Sequence, residues 1–114
     1  MPETGAVTRT TLLDQVLPSP LALHRVEIRR ITLAPDVAGG LHVHNGPVFG
    51  SIESGSAVYQ IEGEPPTILR PGDVFYEPAH VRIQRFDAQQ DGVTFLGYFL
   101  LAADQDAELE FPEA

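Results

Sequence analysis

Ten glycines and ten prolines are spread along the whole of this 114-residue chain, and they cut it into short segments. No segment between them keeps apolar residues at the i, i+3, i+4, i+7 spacing of a capped helix over three turns. The segments are instead rich in Val, Ile, Thr, Phe and Tyr, the residues that suit a pleated half-buried surface. Strands are expected at 24–33, 41–44, 48–54, 56–62, 67–69, 74–77, 81–86 and 93–101. An N-terminal strand at 7–17 and a last one at 109–111 complete the set. Many short strands with frequent turn signals give an all-β fold, a sandwich or a barrel. The punctuation is dispersed and not gathered into a linker, so residues 1–114 read as one domain, with a core at about 24–103 and a C-terminal tail at 104–114.

Two strands carry more detail. HRVEIRRITL alternates, placing Val26, Ile28 and Arg30 on one face and Glu27, Arg29 and Ile31 on the other. VTFLGYFLL is apolar on both faces, as for a strand covered on both sides. Between them, Arg70-Pro71-Gly72-Asp73 reads as a compact turn, proline presetting φ and glycine free to take φ > 0.

Bulk chemistry removes several function classes. Sixteen acidic and seven basic residues give a formal charge of −9, a field that repels phosphate backbones, so no nucleic acid partner is expected. There are no cysteines, which excludes disulfides and thiolate metal sites and fits a cytoplasmic location. No apolar run approaches the length needed to span a bilayer, and Met1-Pro2-Glu3-Thr4-Gly5 lacks the features of a secretory leader, so no membrane partner is expected. Ser51, Ser54 and Ser56 stand in no Ser-His-Asp pattern, and no phosphate-binding glycine loop occurs.

The chemistry gathers at His42-Val43-His44. Residues i and i+2 of a strand point to one face, roughly 6.5 Å apart, so both imidazoles can converge on one ion or ligand. Neutral imidazole binds zinc, copper, iron and nickel. Glu77 lies among Val74, Phe75, Tyr76 and Pro78, where an unpaired carboxylate is costly to bury. It is read either as a third ligand and proton carrier or as the partner of an arginine such as Arg82 or Arg85. His80 follows Pro78-Ala79, where the two-residue period need not hold. It is either a further ligand or a histidine on the rim. His24 reads as a strand-edge residue. Tyr59, Gln60, Arg85 and Tyr98 sit on strands that could line an interior and, as a set, would offer donors to a small acid or enol.

The order of these pieces resembles the cupin superfamily, small jelly-roll β-barrels built on two motifs. In GGLHVHNGPVFGSIESGS the chain supplies the first motif's His42-x-His44 and closing Gly55, and RPGDVFYEP matches the first half of the second motif. The resemblance covers roughly residues 28–101 and implies a cupin jelly roll. The departures are specific. The family's glutamate ligand falls on Val48, its third histidine on Ile83, and its asparagine near Asp87.

The resemblance implies a divalent metal (Fe, Ni, Zn, Mn or Cu) held by His42 and His44 with Glu77 or His80. Val48, Phe49, Tyr59, Phe75, Ile83 and Phe95 would form an organic pocket, and the chemistry would be that of a dioxygenase, an isomerase or a related enzyme. The alternative is a metal-free cupin. With both lost ligands replaced by apolar residues, it would bind a small molecule without an ion, or move protons through a histidine and Glu77. Relatives commonly pair through edge strands, so a homodimer is expected.

Overall fold

The computed structural model describes residues 5–112. Its elements are β1 (Arg25–Leu33), β2 (Val43–His44), β3 (Val48–Ile61), β4 (Thr67–Leu69), β5 (Val74–Glu77), β6 (Ile83–Leu101) and β7 (Leu109–Glu110). Among the described residues there is no helix, and none long and apolar enough to cross a membrane.

Two long bent strands organise the molecule. β3 pairs with β6 along its whole length, and its other edge is taken first by β5 and then by β4. β1 adds to the far side of β6, pairing Arg25 with Leu101 through to Leu33 with Val93. All these pairings are antiparallel. β2 and β7 form a separate two-stranded ladder, and the ladders do not close into one ring. This is the jelly-roll architecture expected from the sequence.

The expected breaks at Gly55 and in the 80s turned out to be bends within continuous strands. Segments 48–54 and 56–62 are one strand, as are 81–86 and 93–101, apart from small shifts at their ends. The ladder between β3 and β6 shifts register on both sides of Gly55. There Gly55 has φ 74°, and a Cβ on it would lie 2.0 Å from the Gly92 carbonyl oxygen. Two backbones thus cross at a point where only glycine fits, and the sheet curls over it.

Alternation along the strands separates inside from outside. On β6, Val93, Phe95, Phe99 and Leu101 are buried, while Thr94, Leu96, Tyr98 and Leu100 are half-buried on the outer face. The N-terminal segment accounts for that outer apolarity. Leu12 and Leu13 border a groove with Phe49 and Tyr98, and Leu17 and Leu21 border another with Leu100. Residues 7–17 nevertheless form no strand, contrary to expectation. Leu12, Leu13 and Leu17 border grooves on the outer face, and no ladder takes up the segment's backbone. On β1, Ile31 and Leu33 turn inward and Val26 and Ile28 outward, as the alternation predicted.

The interior is divided. One end is filled by an aromatic cluster in which the Phe75, Phe86 and Phe95 rings pack with centroids 4.7 to 5.8 Å apart and Tyr59 joins at 5.8 Å from Phe75. Gly50 makes room for the Phe75 ring: a Cβ there would stand 2.1 Å from Phe75 Cζ. The other end holds a smaller group, Val48, Phe99 and Leu101. Between them the roll stays open.

Candidate metal centre

His42 and His44 are placed by three backbone pairings. His42 exchanges both hydrogen bonds with Ile83 at the start of β6, at 3.1 and 2.8 Å. His44 accepts from the His80 backbone N–H at 2.9 Å and pairs with Leu109 of β7. This short stretch is therefore held from three sides, and both imidazoles point inward, 7% and 8% exposed. Their rings meet edge to face with centroids 5.0 Å apart.

Glu77 completes the group. It ends β5, opposite Val48 of β3, and is only 4% exposed. Its Oε1 lies 3.0 Å from His42 Nε2 and its Oε2 lies 3.2 Å from His44 Nε2. One potential ligand atom from each of the three residues falls within 4.8 Å of the others. Arg82 and Arg85, the alternative partners weighed for Glu77, pair instead with Glu62 and Asp87.

The protonation pattern suits a cation. His42 Nδ1 lies 2.8 Å from the Gly40 carbonyl oxygen, an acceptor only, so Nδ1 carries the proton. That leaves the Nε2 lone pair aimed at the Glu77 carboxylate, an arrangement that repels unless something positive lies between them. A metal ion or a proton meets the requirement, and a backbone carbonyl on the distal nitrogen is the usual support of a metal-bound histidine. Without an ion the proton takes that place. Burial works to lower the His42 pKa, but the hydrogen bond and charge of Glu77 outweigh it and hold His42 above its ordinary value. Burial likewise works to raise Glu77, and the two histidine contacts prevail and hold it below the usual carboxylate range.

The site opens onto a cavity of about 320 Å³ lined by Ile31, Leu33, Val48, Phe86, Phe95 and Phe99, with Arg29 and Glu108 also on its walls. Its size is at the small end for organic ligand pockets. Of the six pocket residues expected from the sequence, Val48 and Phe95 line it. Tyr59, Phe75 and Ile83 belong to the packed core instead. The Tyr59 hydroxyl donates to the Tyr76 carbonyl, and burial first, then the Glu77 charge, pushes its pKa up. Phe49 was misplaced altogether. It stacks on Tyr76, 5.0 Å between centroids, beside Leu12 and Leu13 on the outer face. Phe49 and Val48 are neighbours on a strand, so they could not both point inward.

His80 is exposed, at φ 60°, and stands outside the His42, His44 and Glu77 group. It borders a separate outer cleft with Tyr76 and Leu17. The histidine stays in the turn, and its backbone serves the site while its ring does not. His24 is exposed, Gln60 donates to Glu64, and Arg85 pairs with Asp87, so none of these enters the cavity. Tyr98 lies on the outer groove.

Sequence reasoning overlooked Asn45. Its side chain donates to the Asp106 carbonyl at 2.8 Å and accepts from the Glu108 N–H at 3.1 Å, fastening residues 106–108 beside the histidines. Its place immediately after His-x-His was the available signal.

The sequence profile described as a cupin domain matches residues 29–88, more than half of the chain. No curated protein matches it. Among solved structures, a DMSP lyase from Ruegeria pomeroyi is 20% identical with a TM-score of 0.67, covering 78% of this chain and 45% of its own. An oxalate oxidase in complex with the substrate analogue glycolate is 19% identical with a TM-score of 0.63, covering 75% and 45%. A cupin-like protein from Thermotoga maritima is 23% identical with a TM-score of 0.63, covering 75% and 65%. The chain thus spans under half the length of the lyase and the oxidase, and at these identities the likeness is one of fold.

Proposed function

The chain belongs to the cupin domain family, and on that footing we propose that it holds one divalent metal ion and acts on a small organic substrate in the cavity beside it. His42 Nε2, His44 Nε2 and a Glu77 oxygen are the ligands, a two-histidine, one-carboxylate set that leaves coordination positions open for substrate. The observation that carries this reading is the geometry of His42, whose Nδ1 lies 2.8 Å from the Gly40 carbonyl oxygen and whose Nε2 lies 3.0 Å from an oxygen of the buried Glu77 carboxylate. Of the metals the family uses, iron, manganese, copper, nickel and zinc all accept such donors.

Bound there, the ion supplies Lewis acidity at a substrate oxygen and, if it is redox-active, access to dioxygenase chemistry. The protein's own part is positional and electrostatic. Apolar walls would exclude water from the reacting group, and Glu77, beside the cavity, would offer a carboxylate as base for a substrate proton. Isomerisation and related proton transfers fit this arrangement as well as oxygenation.

A second reading has one observation in its favour. Among the described residues no buried side-chain polar atom lacks a hydrogen-bond partner, and with an N–H on each Nε2 the two histidines satisfy Glu77, one to each of its oxygens. On that reading the chain is a metal-free small-molecule-binding module, or an acid–base catalyst using His42 and Glu77. Elemental analysis of protein purified without a histidine tag or chelating resin separates the two. Near-stoichiometric transition metal, lost in His42→Ala, supports the metal reading. Protein that arrives empty and takes up no added Fe, Mn, Ni, Zn or Cu rejects it.

Assembly as a homodimer is part of the proposal. β1 is an edge strand whose outward Val26 and Ile28 are 50% and 58% exposed, a surface suited to a second copy. Light scattering at high protein concentration tests this, and a monomer there would refute it.

A further inference from the structure

We infer that the substrate is a small organic acid whose carboxylate is held by Arg29. This rests on the reading of the cavity as a substrate site and goes beyond it by naming the anchor and the ligand class.

Among the described residues that line the cavity, Arg29 is the only arginine or lysine, in a chain with a net charge of −9. It stands on the inward-facing row of β1 with Ile31 and Leu33. Its guanidinium carbon lies 4.8 Å from the centroid of the Phe99 ring. Phe99 in turn meets the His44 ring at 6.1 Å. One aromatic ring therefore separates the cation from the histidine and carboxylate group. A ligand that touches both must span that ring.

An ion pair with Glu27 already engages this arginine, and an exposed pair of that kind is ordinarily of little consequence. Here the pairing leaves capacity over. Arg29 directs Nε and Nη2 to the single oxygen Oε2 of Glu27, so its Nη1 hydrogens remain for a ligand. Glu27 is itself shared, its Oε1 taking Arg25 Nη1 at 3.2 Å. The arginine fork is thus fixed in direction by Glu27 and Phe99 without being used up, which suits recognition of a planar carboxylate. The apolar walls then receive the body of the acid, and the side chain of Glu108 at the mouth disfavours ligands with a second distal negative charge.

The test compares acids with their uncharged amides. Pyruvate, propionate and benzoate are titrated against pyruvamide, propionamide and benzamide by NMR, in metal-loaded and metal-free protein. At least one acid is expected to bind about tenfold more tightly than its amide, and Arg29→Met to remove that preference while melting temperature and metal content stay at the wild-type level. Glu27→Gln releases the guanidinium and is expected to tighten the same acid, a shift opposite in sign. Acid and amide bound alike, or a preference that survives Arg29→Met, overturns the inference. So does failure of every acid to bind. An empty metal site with the acid preference intact would instead reject the metal reading and leave Arg29 as the anchor. If Arg29→Met does not fold, the outcome for Glu27→Gln decides, and no gain in acid affinity counts against the proposal.

Discussion

Glu77 and Val48 are register partners across β5 and β3, so their side chains share the inward face of the roll. Val48 is where the family's glutamate ligand falls by sequence spacing. Glu77 places a carboxylate on the strand alongside that position, facing the same interior as His42 and His44.

That relationship makes a rescue experiment specific. Glu77→Val should lower metal affinity by about 100-fold or more, since a ligand is lost from a set of three. Val48→Glu combined with Glu77→Val returns a carboxylate from the neighbouring strand and should recover a large part of that loss. Metal titration followed by dialysis measures both. A double variant no better than the single one would show that the two positions do not serve the same ion.

The pH response should have opposite signs for stability and for metal binding. Glu77 is held below its ordinary 4.5, so its contribution to stability is present above that pH and is lost as acid titrates the folded carboxylate. His42 is held above its ordinary 6.5, so its contribution is complete below 6.5 and is lost as pH rises through its folded value. Metal-free protein should therefore melt highest between about pH 4.5 and 6.5. Metal affinity should climb as pH rises above that range, because the ion displaces the His42 proton. Calorimetric melting of metal-free protein, paired with metal titrations at each pH, checks the two trends. A melting temperature that rises from pH 6.5 to 8.5 would contradict the first.

His80 should be dispensable for the ion. His80→Gly removes a ring that faces solvent and suits a backbone at φ 60°, so metal content should be unchanged and stability should rise or hold to within about 1 kcal/mol. Metal loss in this variant, measured by elemental analysis, would put the ring back in the site.

Gly50→Ala should be among the costlier small substitutions. The added methyl would meet the Phe75 ring, and overpacking of this kind costs about 1–3 kcal/mol. Chemical denaturation gives the value, and a neutral result would mean the aromatic cluster shifts more freely than its packing indicates.

What the sequence disclosed and what it concealed follow from the range of the signals. Alternation, turn residues and the two motif halves are local, and they led to the jelly roll and to His42 and His44 on one face, while leaving Glu77 between a ligand and the partner of an arginine. The bends at Gly55 and Gly92 looked like strand ends because glycine marks both, and only the crossing of two backbones distinguishes them. Phe49, Phe75 and Ile83 were assigned to the pocket by hydrophobicity, and Tyr59 as a donor on a strand that could line the interior. Which apolar residues fill the plugged end, which wall the cavity and which lie outside depends on how far apart the sheets are held, and no local pattern encodes that distance. Alternation put Arg29 and Ile31 on one face of β1, but which face turns inward, and the place of Arg29 over Phe99, required the pairing of β1 with β6.

The last strand expected at 109–111 forms at residues 109–110 and braces His44, and Asn45 fastens the stretch before it. Anything fused after residue 114 is therefore mechanically coupled to an imidazole of the site. Purification handles, reporters or surface tethers belong at the opposite terminus, and a C-terminal fusion that behaves differently from the untagged chain reports a strained ligand before it reports anything about catalysis.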